Sequence, residues 1–297
     1  MNPSKRLRTA LARTALAGSA LAASGAASAL DVDAGDYTAL PEGTQLALVY
    51  YQHAEIDHLY ADGRKGPGKL STDAALFRYV YFTRIGDYII DPQIIVPYVG
   101  IDAKGALADA GVNSPSGFGD TLLGATLWLH NDPKAGDYFG LTYFLSVPTG
   151  DYDRHDALNI GADRYSHILQ AGYIKRLSPK WTMDLVLDAT IHGDNKKANA
   201  AGDTLEQDTT WQAQAWLRYH VSDALDLRAS VSRYWGGETK LGGVSQDDET
   251  NRSKFTIGAA WFVEPSLQLI ANVGRDISVD NGAKEDSRLN LRLLKVF

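Results

Sequence analysis

Charged, histidine and tryptophan side chains recur at every second position in several stretches of the sequence. In WTMDLVLDATIHG (181–193), Asp184, Asp188 and His192 alternate with apolar residues. Successive side chains of a strand point to opposite sides, so these polar groups share one face. Over all such stretches the polar face offers these candidates for chemistry: Trp128, Asp184, Asp188, His192, Trp216, Arg218, His220, Arg228 and Arg292.

Hydrolytic catalysis would require a serine, a histidine and an orienting polar group that converge at one rim of the fold. His192 and His220 could each join such a set, whereas the adjacent Ser166 and His167 point to opposite faces and cannot pair. The sequence after residue 30 contains no G-x-S-x-G elbow, no H-E-x-x-H motif and no phosphate-binding loop. A single strand histidine more often serves as a hydrogen-bonding group, so we predict no catalytic residue.

Metal binding is suggested most strongly by the acidic stretch DYDRHD (151–156). A calcium loop of the EF-hand type requires glycine where Asp156 stands and glutamate where Ala162 stands. Because the sequence has neither, we predict a solvated loop, with no metal ligand and no cofactor.

Transport selectivity is the remaining use of the polar face. Its charges have both signs, and buried charges usually pair with one another. We expect such pairing among these residues: Asp184, Asp188, Arg218, Asp226, Arg228, Arg288 and Arg292. The unpaired remainder, together with Trp128 and Trp216, would form a constriction that selects small anions or aromatic rings.

About twelve alternating segments make up the chain after the first forty residues, each near the nine to eleven residues that a tilted strand needs to cross a bilayer. They lie near 44–53, 74–84, 88–99, 119–130, 138–148, 164–175, 181–192, 209–221, 225–235, 253–263, 266–275 and 287–297. Short connections alternate with long polar ones, which lie near 54–73, 100–118, 149–163, 193–208, 236–252 and 276–286. This pattern predicts an all-β fold, a transmembrane up-and-down antiparallel barrel with both termini on the short-turn side. A secreted β-sandwich would alternate similarly, but strand length and loop alternation favour the barrel.

The first 29 residues have the features of a secretory signal peptide: basic residues, then an Ala/Leu-rich run, then the small-residue site Ala27-Ser28-Ala29. The barrel is therefore predicted to occupy residues 30–297. Removing the four basic residues of the leader from the 29 Lys+Arg leaves 25 against 36 Asp+Glu. This acidic balance makes nucleic acid an improbable partner. The chain has no cysteine, so neither a disulfide nor a lipidated cysteine is available.

The chain ends in RLNLRLLKVF (288–297), which places Leu289, Leu291 and Leu293 on one face together with Phe297. An alternating last strand that ends in phenylalanine resembles the assembly signal of bacterial outer-membrane barrels. The resemblance implies that Phe297 is recognised by the outer-membrane assembly machinery. Outer-membrane lipid and lipopolysaccharide are the other expected partners of such a barrel.

Three segments resemble a known family: SGFGDTLLGATLWL (116–129), FLSVPTGDYD (144–153) and NIGADRYSHILQAGYIKRL (159–177). They are similar to outer-membrane proteins assigned to transport in a meta-cleavage (MetA) pathway of phenol degradation. The resemblance implies a bacterial outer-membrane channel that passes small hydrophobic or aromatic solutes by passive diffusion. It implies no catalytic residue.

Two other functions are compatible with the sequence. One is an outer-membrane enzyme that hydrolyses a lipid or a hydrophobic ester. The other is a barrel with a closed lumen that binds partners through long loops such as 149–163 and 236–252. Loop 54–72 is the segment whose mixed charge suggests a plug for the lumen.

Overall fold

Twelve long antiparallel strands make up most of the fold in the computed structural model, which describes residues 31–297. The predicted signal peptide lies outside these residues. The long strands are β1 (Gln45–Ala61), β2 (Arg64–Tyr81), β4 (Tyr88–Lys104), β6 (Thr121–Asp132), β7 (Asp137–Val147), β8 (Ser166–Ser178), β9 (Trp181–His192), β11 (Thr210–His220), β12 (Leu225–Gly236), β15 (Thr250–Glu264), β16 (Leu267–Val279) and β17 (Gly282–Val296). Short strands are β3 (Thr83–Ile85), β5 (Ser116–Phe118), β10 (Leu205–Gln207), β13 (Thr239–Leu241) and β14 (Val244–Ser245), and one short helix covers Ala106–Asp109.

Each long strand pairs with the next long strand along the chain, and the first strand also pairs with the last. β1 lies between β2 and β17, and β4 pairs with both β2 and β6. The sheet is therefore a closed barrel that leaves none of its long strands as an open edge. The predicted up-and-down architecture of twelve strands is confirmed. No helix among residues 31–297 is long and apolar enough to cross a membrane.

The outer surface of the barrel carries an apolar belt. Leu141, Leu187, Val231, Val273 and Leu293 are all exposed on different strands. A continuous apolar surface of this kind is favourable in lipid and unfavourable in water. The alternation read from the sequence is thus a real division between a lipid face and a lumen face.

The two ends of the barrel differ, as the sequence predicted. Both termini of the barrel and the turns 179–180 and 265–266 lie at one end, which we call the short-turn end. The inward-folded loop 148–165 and the other long connections lie at the opposite, long-loop end. In barrels of this class the short turns face the periplasm and the long loops face the outside.

Two predicted loops are wrong. Residues 54–73 and 276–286 continue as strands and reverse in tight turns, the first at Asp62 and Gly63. Both turn residues have positive φ, 51° and 69°, as a two-residue hairpin of this type requires. Their strands therefore extend the barrel wall beyond the predicted limits.

The sequence pattern was misleading in these two segments because the face that carries the polar residues changes from the inner one to the outer one. On β1, Glu55 and Asp57 point outward and are at least partly exposed, while Ala54 and Ile56 are buried inside the barrel. Above the lipid boundary the outer face meets water, so polar residues belong outside and apolar residues can line the interior. A polar stretch on the outer face was therefore mistaken for a loop.

The C-terminal strand is positioned as the sequence predicted. Phe297 closes the barrel seam with β1, since its N–H donates to the Gln45 carbonyl oxygen at 2.9 Å. Its side chain is 69% exposed on the outer surface. The terminal aromatic ring is therefore accessible at the short-turn end of the barrel.

Candidate solute cavity and lumen plug

The chain before the first strand lies inside the barrel, and we call residues 31–44 the lumen plug. Inward side chains of the strands accept its backbone N–H groups. The Val32 N–H donates to Gln214 Oε1 at 3.0 Å, and the Gly35 N–H donates to Asp184 Oδ2 at 2.6 Å. The plug leads directly into β1 at the short-turn end. It therefore fills that half of the lumen.

Arg292 binds two carboxylates of the plug. Its Nη1 donates to Asp36 Oδ1 at 2.6 Å and lies 3.1 Å from Asp33 Oδ2. Asp36 also accepts from Arg78 Nη1 at 3.0 Å. All four side chains are largely buried, so each charge depends on its partner. Arg292 therefore anchors the plug to β17.

Asp31, at the start of the plug, has a separate set of partners in the middle of the lumen. It accepts short hydrogen bonds from the side chains of Lys254 and Tyr234, and a third from Gln212 Nε2 at 3.0 Å. Neither Lys254 nor Tyr234 was singled out from the sequence. The available signal was the run DVDAGDY (31–37), which has three aspartates within fifteen residues of the start of the first strand.

The two tryptophans predicted at a constriction bind the plug backbone. Trp128 Nε1–H donates to the Tyr37 carbonyl oxygen at 3.0 Å, and Trp216 Nε1–H donates to the Val32 carbonyl oxygen at 2.9 Å. Both indole rings are buried. A buried indole N–H needs an acceptor, and here the plug supplies it.

Two glycines make room for the ring of Tyr37. Gly140 on β7 lies opposite Gly172 on β8, and a methyl group on Gly172 would overlap the tyrosine ring. The Tyr37 hydroxyl lies 2.7 Å from Thr142 Oγ1 and donates to Gln170 Oε1 at 2.8 Å. These glycines serve close packing, since their flexibility is not needed inside a regular strand.

The remaining predicted arginines pair with acids as the charge argument requires. Arg218 Nε donates to Asp184 Oδ1 at 3.0 Å. Arg228 donates to both oxygens of Asp226, at 2.8 and 2.9 Å, and to the Ala34 carbonyl oxygen of the plug at 3.1 Å. These ion pairs line the plugged half of the lumen.

The other predicted residues hydrogen-bond to uncharged side chains of the lumen wall. Asp188 accepts from a glutamine side chain at 3.4 Å, and His220 contacts a threonine hydroxyl at 2.8 Å. His192 lies between a serine and a threonine hydroxyl, at 3.3 and 3.1 Å. Within residues 31–297 no carboxylate binds either histidine, so the structure does not bring together a Ser–His–acid set.

Beyond the plug, in the half of the barrel nearer the long loops, lies a cavity of about 160 Å³. We call it the solute cavity. One wall consists of aliphatic side chains that point inward from β1, β2, β4 and β6: Ile56, Leu70, Leu76, Ile95, Val99, Ile101 and Leu122. The opposite wall is polar and includes Tyr234, Arg252, Glu285 and Arg288. The cavity is therefore amphipathic across its width.

The sequence predicted a polar lumen throughout, and this is wrong for parts of β1, β2, β4 and β6. In β4, for example, Ile95 is almost fully buried on the inner face, with Val99 and Ile101 further along the same face. These strands have apolar residues on both faces over part of their length, so alternation alone could not show which set faced inward. The closed barrel determines which set of side chains faces inward.

The loop 148–165 folds over the solute cavity and contributes Ile160 to its lining. Asp120, just before β6, holds this loop with both carboxylate oxygens. Oδ1 accepts the Gly150 N–H at 2.9 Å, and Oδ2 accepts the Ala162 N–H at 2.9 Å. The three segments that carry the family resemblance thus meet at one place, the base of the inward-folded loop.

The acidic stretch 151–156 forms local hydrogen bonds in this loop. Asp153 accepts the His155 backbone N–H at 2.9 Å, and its Oδ1 lies 2.9 Å from the imidazole Nδ1. These contacts hold the pKa of the exposed Asp153 carboxyl below its usual range. The stretch shapes the loop, and the prediction that it binds no metal stays a prediction.

The closed barrel, its outer apolar belt and its polar plugged lumen define an outer-membrane β-barrel protein. The model of the family described as "Putative MetA-pathway of phenol degradation" matches residues 34–293, and the chain belongs to this family. An outer-membrane channel from Pseudomonas putida F1 is 38% identical, with a TM-score of 0.86 over 90% of this chain and 100% of that chain. The predicted family and outer-membrane location are both confirmed.

More distant solved structures share the fold. The beta domain of the Bordetella autotransporter BrkA is 11% identical, with a TM-score of 0.53 over 86% of this chain and all of that one. The transport unit of the Escherichia coli autotransporter AIDA-I is 10% identical, with a TM-score of 0.50 over 95% of this chain and 96% of that one. No curated protein matches the sequence. The neighbour that is 38% identical is a channel, which agrees with a role other than catalysis.

Proposed function

We propose that this channel protein carries small hydrophobic or aromatic solutes across the outer membrane by passive diffusion. The observation that carries the proposal is the aliphatic wall of the solute cavity. Contact between water and an aliphatic wall is unfavourable in free energy, whereas an apolar solute is stabilised against that wall. A channel for sugars or ions would be expected to line the whole of this space with polar groups and to lack such a wall.

The size of the cavity fits a single aromatic ring. Its volume is about 160 Å³, and an apolar cavity of about 150 Å³ inside a protein can bind benzene. Solutes of that size would enter from the outside, beneath the loop 148–165. Family membership and the similarity to a channel support the same conclusion.

Passage to the periplasm requires a route past the lumen plug. Ion pairs and hydrogen bonds hold the plug, as at Arg292 and Trp216, and its side chains Val32, Tyr37 and Ala39 also pack in a buried apolar cluster with residues of the wall. We infer that partial displacement of residues 31–44 opens the route. Since the chain has no cysteine, pairs introduced at Val32 and on the facing wall can be cross-linked without background reaction.

The test is uptake, in excess of that by protein-free liposomes, by liposomes that contain the refolded protein, with toluene, phenol and glucose as solutes. Ile95→Trp fills the cavity, because Ile95 lines it. Ile94→Trp is the matched control, because the neighbouring side chain faces outward, where tryptophan is tolerated. Toluene and phenol should enter faster than glucose, and only Ile95→Trp should slow them. Equal uptake of all three solutes, or no effect of Ile95→Trp, would contradict the proposal.

The plug itself favours a second function, a closed barrel that acts through its loops. In that case the wild-type protein and a variant lacking residues 31–40 should both fail to conduct. Cross-linking the plug should then leave function unchanged. Conductance that rises on deleting the plug and falls on cross-linking it would exclude a closed barrel.

We also propose that Phe297 is the assembly signal and that the outer-membrane assembly machinery recognises it. The exposed ring at the barrel seam supports this role. Lipid contacts with the apolar belt are expected to include lipopolysaccharide in the outer leaflet.

A further inference from the structure

Arg252 is a cation that lines the solute cavity. Its guanidinium makes no hydrogen bond to any group within residues 31–297. Its Nε lies 3.8 Å from Asp276 Oδ1, which is beyond hydrogen-bond distance. The guanidinium carbon lies 4.6 Å from the centroid of the Tyr234 ring. The side chain is 17% exposed and lines the cavity.

The neighbouring cations differ from Arg252 in this respect. Arg288 donates to Glu285 and to Gln52, both at 2.7 Å, and to a third acceptor at 3.0 Å. Lys254 forms a short ion pair with Asp31. Buried cations are normally satisfied in this way, and donors without acceptors are costly. Arg252 is thus the polar-wall cation with capacity for an additional acceptor.

The ring of Tyr234 determines which N–H groups of Arg252 remain available to a ligand. A guanidinium stacked on an aromatic face keeps its edge free to donate in its own plane. Two parallel N–H groups of that edge match the two oxygens of a carboxylate. The aliphatic wall, with Leu76 and Ile95, lies on the other side of the same cavity.

We propose that Arg252 is the head-group contact of the channel and that its preferred solutes are single-ring aromatic carboxylates. The ring lies against the aliphatic wall, and the carboxylate accepts two hydrogen bonds from Arg252. This inference rests on the proposed function, because it names the solute class for the same cavity. Asp276 balances the charge of Arg252 when no solute is bound, and the 3.8 Å gap leaves the donors free to exchange partners.

The test compares benzoate with benzyl alcohol, which has nearly the same shape and no charge, in the liposome assay. Arg252→Met keeps the length of the side chain and removes its donors. Benzoate uptake should fall at least tenfold, which corresponds to about 1.4 kcal/mol, because both hydrogen bonds to the carboxylate are lost. Uptake of benzyl alcohol should not change.

The control is Arg233→Met, which removes an arginine from the outer face of β12, where it donates to Asn251 at 2.7 Å. It should leave both solutes unaffected. Arg252→Lys keeps the charge without the paired donors and should give intermediate benzoate uptake. If Arg252→Met fails to fold because Asp276 loses its counter-charge, the double variant Arg252→Met/Asp276→Asn restores neutrality and tests the same point.

Three outcomes separate the hypotheses. Selective loss of benzoate uptake supports the head-group role of Arg252. Equal loss of both solutes, or no loss of either, overturns it while the proposed channel function stands. If the wild-type protein takes up neither benzoate nor benzyl alcohol, the proposed function itself fails, and the inference that rests on it fails too.

Discussion

Replacing Arg292 by glutamine should increase the fraction of molecules in which the lumen plug is displaced, without breaking the pairing between the barrel strands. The change removes the cation that binds Asp33 and Asp36, and Asp36 keeps its second partner, Arg78. Leaving a buried charge without its partner costs about 3–5 kcal/mol. Because one of the two carboxylates stays paired, we take the lower value of about 3 kcal/mol. That corresponds to about a hundredfold rise in the population with a displaced plug.

Hydrogen exchange of the plug amides measures this population directly. The amides of Val32 and Gly35 donate to side chains of the barrel wall, and the Thr38 N–H donates to the Gly35 carbonyl oxygen at 3.0 Å. Their exchange should become about a hundredfold faster in Arg292→Gln. Exchange in the strands should stay slow, since the barrel pairing is unchanged. Channel conductance should rise in parallel.

Arg288→Gln is the matched control. Arg288 lies four residues earlier on the same face of β17 and is equally buried, but its hydrogen bonds go to Glu285, Gln52 and Asn290. It should destabilise the cavity wall and leave the plug amides slow. Unchanged plug exchange in Arg292→Gln, or the same acceleration in both variants, would show that ion pairs do not hold the plug.

Three further changes test other parts of the structure. Gly172→Ala should push the ring of Tyr37 out of its slot, so the plug amides should exchange faster while heat-dependent mobility in SDS stays normal. Asp120→Ala removes both acceptors at the base of loop 148–165 and should make that loop sensitive to added protease, with a loss of about 2–3 kcal/mol of local stability; an equally resistant loop would contradict this role. Phe297→Ala keeps the backbone hydrogen bonds to Gln45 and should reduce the amount of assembled, heat-modifiable barrel in the outer membrane with little change in the stability of the refolded protein, and normal assembly would exclude the ring as the signal.

The sequence was sufficient to predict the barrel because period-two alternation is a local property. One lipid face and one lumen face are imposed on each strand separately, so strand number and loop alternation can be counted without knowing any contact. The same holds for the lumen position of residues such as Arg218 and Asp184. Their pairing follows from their shared face, and the structure places them 3.0 Å apart.

The plug, the amphipathic solute cavity and the long hairpins were decided by the tertiary structure alone. Residues 31–44 have no periodic pattern, and their place in the lumen depends on distant partners such as Lys254, 223 positions from Asp31, and Arg292, 256 positions from Asp36. On β1, β2 and β4, the face that carries the apolar residues also depends on where the lipid boundary crosses each strand. Alternation shows that two faces differ, and only closure of the barrel decides which face encloses the solute and which meets lipid or water.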